Sequence, residues 1–121
     1  MTDDIHLYAT LYVDSEHTRS ELHKLLSQIA GAQPDHGDVV CGAVALTVLD
    51  NDDYLPASER PDAAFLFYRY RIEADPLDNA SKQAVVEAVG RVLQTLRQSG
   101  AAAVASCAYE DALPRHGAIG P

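Results

Sequence analysis

The chain has 121 residues, of which 47% are hydrophobic and 22% charged, and this size and composition are typical of one globular domain. Its 18 acidic and 9 basic residues leave a formal net charge of -9, which repels the phosphate backbone of nucleic acids and anionic membrane surfaces. No apolar stretch is long enough to span a membrane, and residues 1–4 lack the basic and apolar regions of a signal peptide. We therefore expect a cytoplasmic protein that binds neither nucleic acid nor membrane.

The first part of the chain predicts a strand followed by a helix. Residues 5–13 alternate aliphatic side chains with polar or aromatic ones, which is the period of a half-buried strand. Asp14 or Ser15 then supplies an N-cap, and the leucines that follow recur at helical spacing until Gly31 ends the helix.

The remaining segments predict two strands, a second helix and a last strand. After a polar turn, residues 39–49 form one long apolar strand, and residues 64–74 alternate as a third strand beyond an aspartate-rich loop. Asp78 or Ser81 caps the second helix. Residues 102–109 are an apolar run that fits a last strand.

This order of elements predicts an α+β domain of the ferredoxin-like, split βαβ type (βαββαβ), a four-stranded antiparallel sheet with two helices on one face. The usual strand order of that fold is fourth, first, third, second. Cys41 and Cys107 would then lie at opposite edges, too far apart for a disulfide. We expect residues 1–113 to form the domain and residues 114–121, with two prolines and two glycines, to form a flexible tail.

The sheet face without helices is the predicted functional surface. If the aliphatic side chains of the first strand point inward, His6, Tyr8 and Tyr12 point to this open side. The third and fourth strands would add Phe65, Phe67, Arg69, Arg71, Cys107 and Tyr109. Aromatic residues and arginine are enriched at protein interfaces, so we favour an interface with a second copy of the chain or with another protein.

Two other functions would use the same face. One is a small enzyme or ligand-binding protein of the dimeric α+β barrel type, with a pocket in which His6 would be the base and Cys107 the nucleophile. The pattern provides no third group to orient that pair, so no residue is assigned as catalytic. The other is base stacking by an RNA-binding sheet, which the net charge and the lack of its short motifs disfavour.

The sequence predicts no metal site and no cofactor. Neither cysteine lies in a Cys-x-x-Cys spacing, and Asp50, Asp52 and Asp53 do not match the spacing of an EF-hand loop. These aspartates are therefore interpreted as a solvated loop.

Short segments near the strand ends resemble another group of proteins. They are NDDY at residues 51–54, YRIEADP at 70–76, SCAY at 106–109 and EDALP at 110–114. Together they look like a group of small actinobacterial proteins of uncharacterised function. The chain is also similar in kind to immunity proteins of polymorphic toxin systems, which neutralise a toxin by blocking it. That resemblance implies a basic partner, facing Asp50, Asp52, Asp53, Glu110 and Asp111, because opposite charges speed association.

Overall fold

The computed structural model of the chain describes residues 7–29, 31–35, 37–61, 64–109 and 113. This part contains two α-helices and six strands, and the strands form one antiparallel sheet. In chain order the elements are β1 (Ala9–Asp14), α1 (Arg19–Ser27), β2 (Gln33–Asp35), β3 (Asp38–Cys41), β4 (Val44–Asp50), β5 (Tyr70–Pro76), α2 (Lys82–Gln98) and β6 (Ala102–Cys107). Two short 3₁₀-helices, Ala57–Glu59 and Ala64–Phe67, lie between β4 and β5. Neither described α-helix is long and apolar enough to span a membrane.

The order of strands across the sheet is β2-β3-β4-β5-β1-β6. The predicted fourth-first-third-second order recurs in it as β6, β1, β5 and β4, but the predicted number of four strands is wrong. The long strand predicted at residues 39–49 is interrupted at Gly42, whose φ of 58° suits a residue without a side chain. The interruption produces the β3–β4 hairpin, and residues 33–35, expected in a turn, pair with β3 as β2.

The helices begin at side-chain caps. The hydroxyl of Thr18 accepts from the backbone N–H of Glu21, and the Glu21 carboxylate accepts from the N–H of Thr18, which is a capping box at the start of α1. The caps expected at Asp14 or Ser15 are therefore wrong, because β1 continues through Asp14. The second helix begins after Ser81, one of its two predicted caps.

Both helices pack on the same side of the sheet and contact each other there. On β1 the burial alternates, with Leu11 and Val13 fully buried beneath the helices and Tyr12 half-buried on the opposite side. The largest fully buried side chains of the described part include Leu11, Leu22, Leu26, Leu46, Ile72, Leu93 and Leu96. The core is therefore aliphatic and lies between one sheet face and two helices.

The last strand faces the opposite way from the prediction. It pairs Tyr12 of β1 with Val104, so Val104 and Ser106 share the side of the sheet on which Tyr12 lies. Ala105 and Cys107 point to the helix side, where Cys107 packs against the core. A shift of one residue reverses every side chain of a strand, and the alanine-rich run 102–105 has no polar alternation that would indicate its direction.

The two cysteines lie on β3 and β6, with three strands between them. At ~4.8 Å between neighbouring strands, four steps separate them by about 19 Å, which is too far for a disulfide, as predicted. At the end of the described chain Leu113 is buried in the core. The tail predicted at residues 114–121 lies outside the described residues.

Candidate functional site: the open face of the sheet

In the described part of the chain, no α-helix packs on the sheet side opposite α1 and α2. We call this side the open face. Its side chains come from β1, β4, β5, β6 and the residue before β1. They are Tyr8, Thr10, Tyr12, Thr47, Leu49, Arg71, Glu73, Asp75, Val104 and Ser106. The strand register arranges them in rows that run across the sheet.

Glu73 is the centre of a polar cluster on the open face. The hydroxyl of Tyr8 donates to its Oε2, and the hydroxyl of Thr10 donates to the same oxygen at 3.2 Å. The Nε of Arg71 lies 2.9 Å from Oε1 of Glu73. Burial and, secondarily, the charge of Asp75 raise the pKa of Glu73 above its usual value. The cluster therefore brings a carboxylate, a guanidinium and two hydroxyls together on a half-buried surface.

The β4–β5 loop, residues 51–69, folds over one end of the open face, and residues 51–61 and 64–69 of it are described. The buried amide of Asn51 holds this loop together. Its Nδ2 donates to the carbonyls of Leu66 and Tyr68 at 3.0 and 2.7 Å, and its Oδ1 accepts from the N–H of Asp53 at 3.2 Å. The backbone N–H of Asn51 donates to the carbonyl of Arg69 at 3.0 Å. One side chain thus connects both ends of the loop.

Phe65 and Phe67 belong to this loop and not to the third strand, where the sequence predicted them. They lie in the 3₁₀-helix Ala64–Phe67, and β5 begins only at Tyr70. The ring of Phe65 packs edge-on against Tyr12, with ring centroids 5.6 Å apart. The ring of Phe65 therefore covers the Tyr12 end of the open face, and Phe67 belongs to the loop rather than to a strand of the sheet.

Arg60 attaches the β4–β5 loop to the end of β1. Its Nη1 and Nη2 donate to the two carboxylate oxygens of Asp14 at 3.0 and 3.1 Å, and its Nε donates to the carbonyl of Leu55 at 2.7 Å. The rings of Tyr54 and Tyr68 lie 6.0 and 5.1 Å from the guanidinium carbon. The hydrogen bonds to Asp14 raise the pKa of Arg60, so the group is a permanent cation held by its own partners.

Several of the predicted site residues meet on the open face. Tyr8, Tyr12 and Arg71 are there, and Arg69 lies exposed beside it, with its guanidinium 5.0 Å from the ring centre of Tyr70. The predicted outward position of Tyr109 is wrong.

The side chain of Tyr109 is buried, and its hydroxyl donates to the carbonyl of Leu7 at 3.0 Å. Burial raises the pKa of this phenol.

The open face does not hold the expected pair of a base and a nucleophile. Cys107 points to the helix side of the sheet, and His6 lies outside the described residues. The other thiol, Cys41, is buried, and desolvation raises its pKa, which keeps it protonated and unreactive at neutral pH. Within the described ranges, no three His, Cys, Asp or Glu side chains are grouped to hold a metal ion.

The acidic residues of the loop are directed to solvent. Asp52 and Asp53 are exposed in the turn after β4, and the exposed Asp50 has its Oδ2 3.6 Å from Nη1 of Arg19. The other predicted acidic pair, Glu110 and Asp111, lies outside the described residues.

A cleft of about 650 Å³ lies between the end of β1 and the β4–β5 loop. Its lining includes Asp14, Glu16, Tyr54, Arg60 and Arg69, and it is open to solvent rather than enclosed. The charge of Arg60 is already neutralised by Asp14. The cleft is therefore a shallow polar surface next to the open face.

Asn51, Arg60 and Glu73 are central to this region, and sequence reasoning did not single them out. For Asn51 a signal exists, because an asparagine directly after a strand and before two aspartates favours a side-chain-bonded turn. For Arg60 no local signal exists, since Asp14 is 46 residues away in the chain.

Comparisons of the chain with family models, with curated proteins and with solved structures give no match. Its class is therefore defined by the described fold alone: an α+β domain with two helices on one side of a six-stranded antiparallel sheet. The candidate site is likewise identified from the geometry of the open face alone.

Proposed function

We propose that this chain is a protein-binding domain and that its open face is the binding surface. The observation that carries the proposal is the mixture of half-exposed tyrosine, arginine and hydroxyl side chains on a sheet face that no described α-helix covers. Tyrosine and arginine contribute most to binding energy at protein interfaces, because they combine large apolar area with hydrogen-bonding groups. A sheet face of this composition is suited to cover by a second polypeptide.

The proposal includes a ferredoxin-like core with an inserted hairpin. The elements β1, α1, β4, β5, α2 and β6 follow the order βαββαβ along the chain. Their strands are adjacent in the order β6-β1-β5-β4, and the β2–β3 hairpin extends the sheet beyond β4. In this interpretation the open face is the surface that such a core leaves for a partner.

Binding is favoured over catalysis by the position of the reactive groups. The nucleophile of the alternative, Cys107, packs against the core on the helix side, and the described cleft beside the loop is open to solvent. Nucleophilic catalysis needs a base within hydrogen-bond reach of the nucleophile, at a site from which water can be excluded.

Site-directed photo-cross-linking in the source cells tests the proposal. A photoreactive amino acid replaces the exposed Ser106 on the open face, and a matched one replaces the exposed Gln94 on α2. We expect a discrete cross-linked product from position 106 and none from position 94, identified by mass spectrometry as a self-adduct or an adduct with another protein. Equal products from both positions, or no product from position 106, would contradict the proposal.

The resemblance to immunity proteins leads to a narrower second candidate, in which the partner is basic. The exposed carboxylates of Asp50, Asp52 and Asp53 support it, since they form an acidic patch at one end of the molecule. A third cross-linking position, at Asp53, separates the two. A product from position 53 and not from position 106 would favour the acidic patch over the open face.

A further inference from the structure

The charges along β5 are arranged in a simple order on the open face. Arg71 stands on one side of the fully buried Ile72, whereas Glu73 and then Asp75 stand on the other. Arg69, directly before the strand, leads away from this face, with its guanidinium on the ring of Tyr70 and its Nη1 3.5 Å from the carbonyl oxygen of Ser15. Arg71 and Glu73 are therefore opposite charges placed symmetrically about the position of Ile72.

We propose that the partner of the open face is a second copy of this chain, related by a two-fold axis that crosses β5 at the level of Ile72. The proposal rests on the proposed function, because it names the occupant of the same face. An axis that lies between the two faces and perpendicular to β5 makes the two β5 strands antiparallel. Arg71 then lies opposite the partner's Glu73, and Glu73 lies opposite the partner's Arg71. A two-fold interface uses the same patch twice, so this pair of opposite charges is complementary to itself.

The neighbouring strands fit the same axis. The register places Tyr12 and Leu49 in the row of Arg71, and Thr10 and Thr47 in the row of Glu73. The axis stacks one row on the other, so that Leu49 of one copy meets Thr47 of its partner, whereas the ring of Tyr12 is already packed against Phe65 of its own chain. Two aligned sheets pack in this manner at ~10 Å separation and within ~30° of parallel.

The ends of the face are also complementary. The 3₁₀-helix that contains Leu66 stands over the Tyr12 end of β1, and Tyr8 stands at the opposite end. Tyr8 and Leu66 are both exposed large apolar residues, each 39% accessible. The two-fold axis brings Tyr8 of one copy to the loop of its partner, at both ends of the interface.

The sheet supplies about half of the area of a stable dimer. The four strands of the open face, at ~4.8 Å spacing and about six residues per strand at ~3.4 Å, give a footprint of about 400 Å² before side-chain relief is included. A stable interface buries about 800 Å² on each partner, so the contacts between Tyr8 and the partner's loop contribute the remainder. The partner's Arg71 also supplies a second cation to Glu73, which already pairs with Arg71 of its own chain and whose pKa is raised by burial and by Asp75. The second cation offsets the unfavourable effect of Asp75 within one copy.

Charge reversal with exchange of partners tests this pairing. The variants Arg71→Glu and Glu73→Arg each place like charges opposite each other across the proposed axis, and we expect each to raise the dimer dissociation constant at least ~10-fold. Mixing the two variants in equal amounts restores opposite charges at both contacts. We therefore expect a heterodimer with an affinity close to that of the unchanged chain, measured by sedimentation and by native mass spectrometry.

The heterodimer is the decisive product. In it each chain still carries the two like charges that its own substitution places beside each other, so only the contact between the two chains is repaired. Glu87→Arg and Arg91→Glu, which make the same charge changes on the exposed side of α2, serve as matched controls and should dimerise normally. A dimer that tolerates both open-face variants would overturn the proposal. An unchanged chain that stays monomeric would also overturn it, whereas the proposed function would survive if position 106 still cross-links another protein.

Discussion

At the scale of single residues, Arg60 is the side chain on which the shape of the site region depends most. It is 9% exposed, and its three nitrogen atoms donate to Asp14 and to the carbonyl of Leu55. The paired geometry matches a guanidinium to a carboxylate, which a lysine cannot reproduce. Without Arg60, the carboxylate of Asp14 would keep its charge at a partly buried position and lose its partner.

We therefore predict that Arg60→Ala lowers the free energy of unfolding by about 2 to 3 kcal/mol. Arg60→Lys should recover only part of the loss, because one ammonium cannot make both bonds to Asp14. Urea denaturation followed by circular dichroism measures both effects. Lys82→Ala, at an exposed position of α2, is the control and should stay within about 0.5 kcal/mol of the unchanged chain. An Arg60→Ala protein as stable as this control would show that the loop is attached by other contacts.

At the scale of elements, the β4–β5 loop has its own network of hydrogen bonds, centred on Asn51. Its backbone bonds include Tyr54 N–H to Asn51 O and Leu55 N–H to Phe67 O, both at 3.0 Å. These bonds lie outside the sheet ladders, and they depend on the side-chain amide that holds the two ends of the loop at their spacing. The loop should therefore open locally without unfolding of the sheet.

Asn51→Ala is expected to lower stability by about 2 kcal/mol, because two backbone carbonyls lose their donor inside the protein. Hydrogen exchange followed by mass spectrometry should show faster exchange in residues 51–69, with β1 and β6 unchanged. Ser58→Ala, at an exposed position of the same loop, provides the control for a side-chain deletion that removes no buried bond. Uniformly faster exchange across the whole chain would mean that the loop and the sheet unfold together.

At the scale of the whole molecule, Tyr109 connects the two ends of the described chain. Its hydroxyl donates to the carbonyl of Leu7, 102 residues away, from a position that is buried against the core. Burial disfavours the charged phenolate and raises the pKa of Tyr109 in the folded state above the ~10 of an unfolded chain. The unfolded state therefore loses this proton first as the pH rises, and the free energy of unfolding falls above about pH 10.

Tyr109→Phe should lower stability at pH 8 by about 1 kcal/mol, since one hydrogen bond is lost. The same change removes the phenol whose ionisation in the unfolded state destabilises the unchanged chain at alkaline pH. The difference in the free energy of unfolding between the variant and the unchanged chain should therefore become smaller between pH 8 and pH 10.5. Urea denaturation at the two pH values tests the sign. Tyr54→Phe, at an exposed ring, is the control and should shift stability by less than about 0.5 kcal/mol. A difference that grows with pH would contradict the argument.

The predictable part of the fold was the part with local periodicity. The alternation along β1 correctly indicated that Leu11 and Val13 point inward and Tyr12 outward, and the apolar spacing of α2 indicated its buried side. The alternation of residues 64–67 was misleading, because hydrogen bonds from Asn51 to Leu66 and Tyr68 hold this segment in a 3₁₀-helix. The direction of β6 was unpredictable, since alanines fit either side of a sheet.

The sequence by itself determined the mixed α+β class, the two helices and the aliphatic core, because these depend on the spacing of neighbouring side chains, but it missed β2 and the break between β3 and β4. Only the tertiary structure decided that Cys107 points to the core, that Arg60 meets Asp14, and that Arg71 and Glu73 meet beside Tyr8. Those contacts join segments that are distant along the chain. They depend on strand register and loop path, which arise from the packing of the whole domain and not from any local pattern.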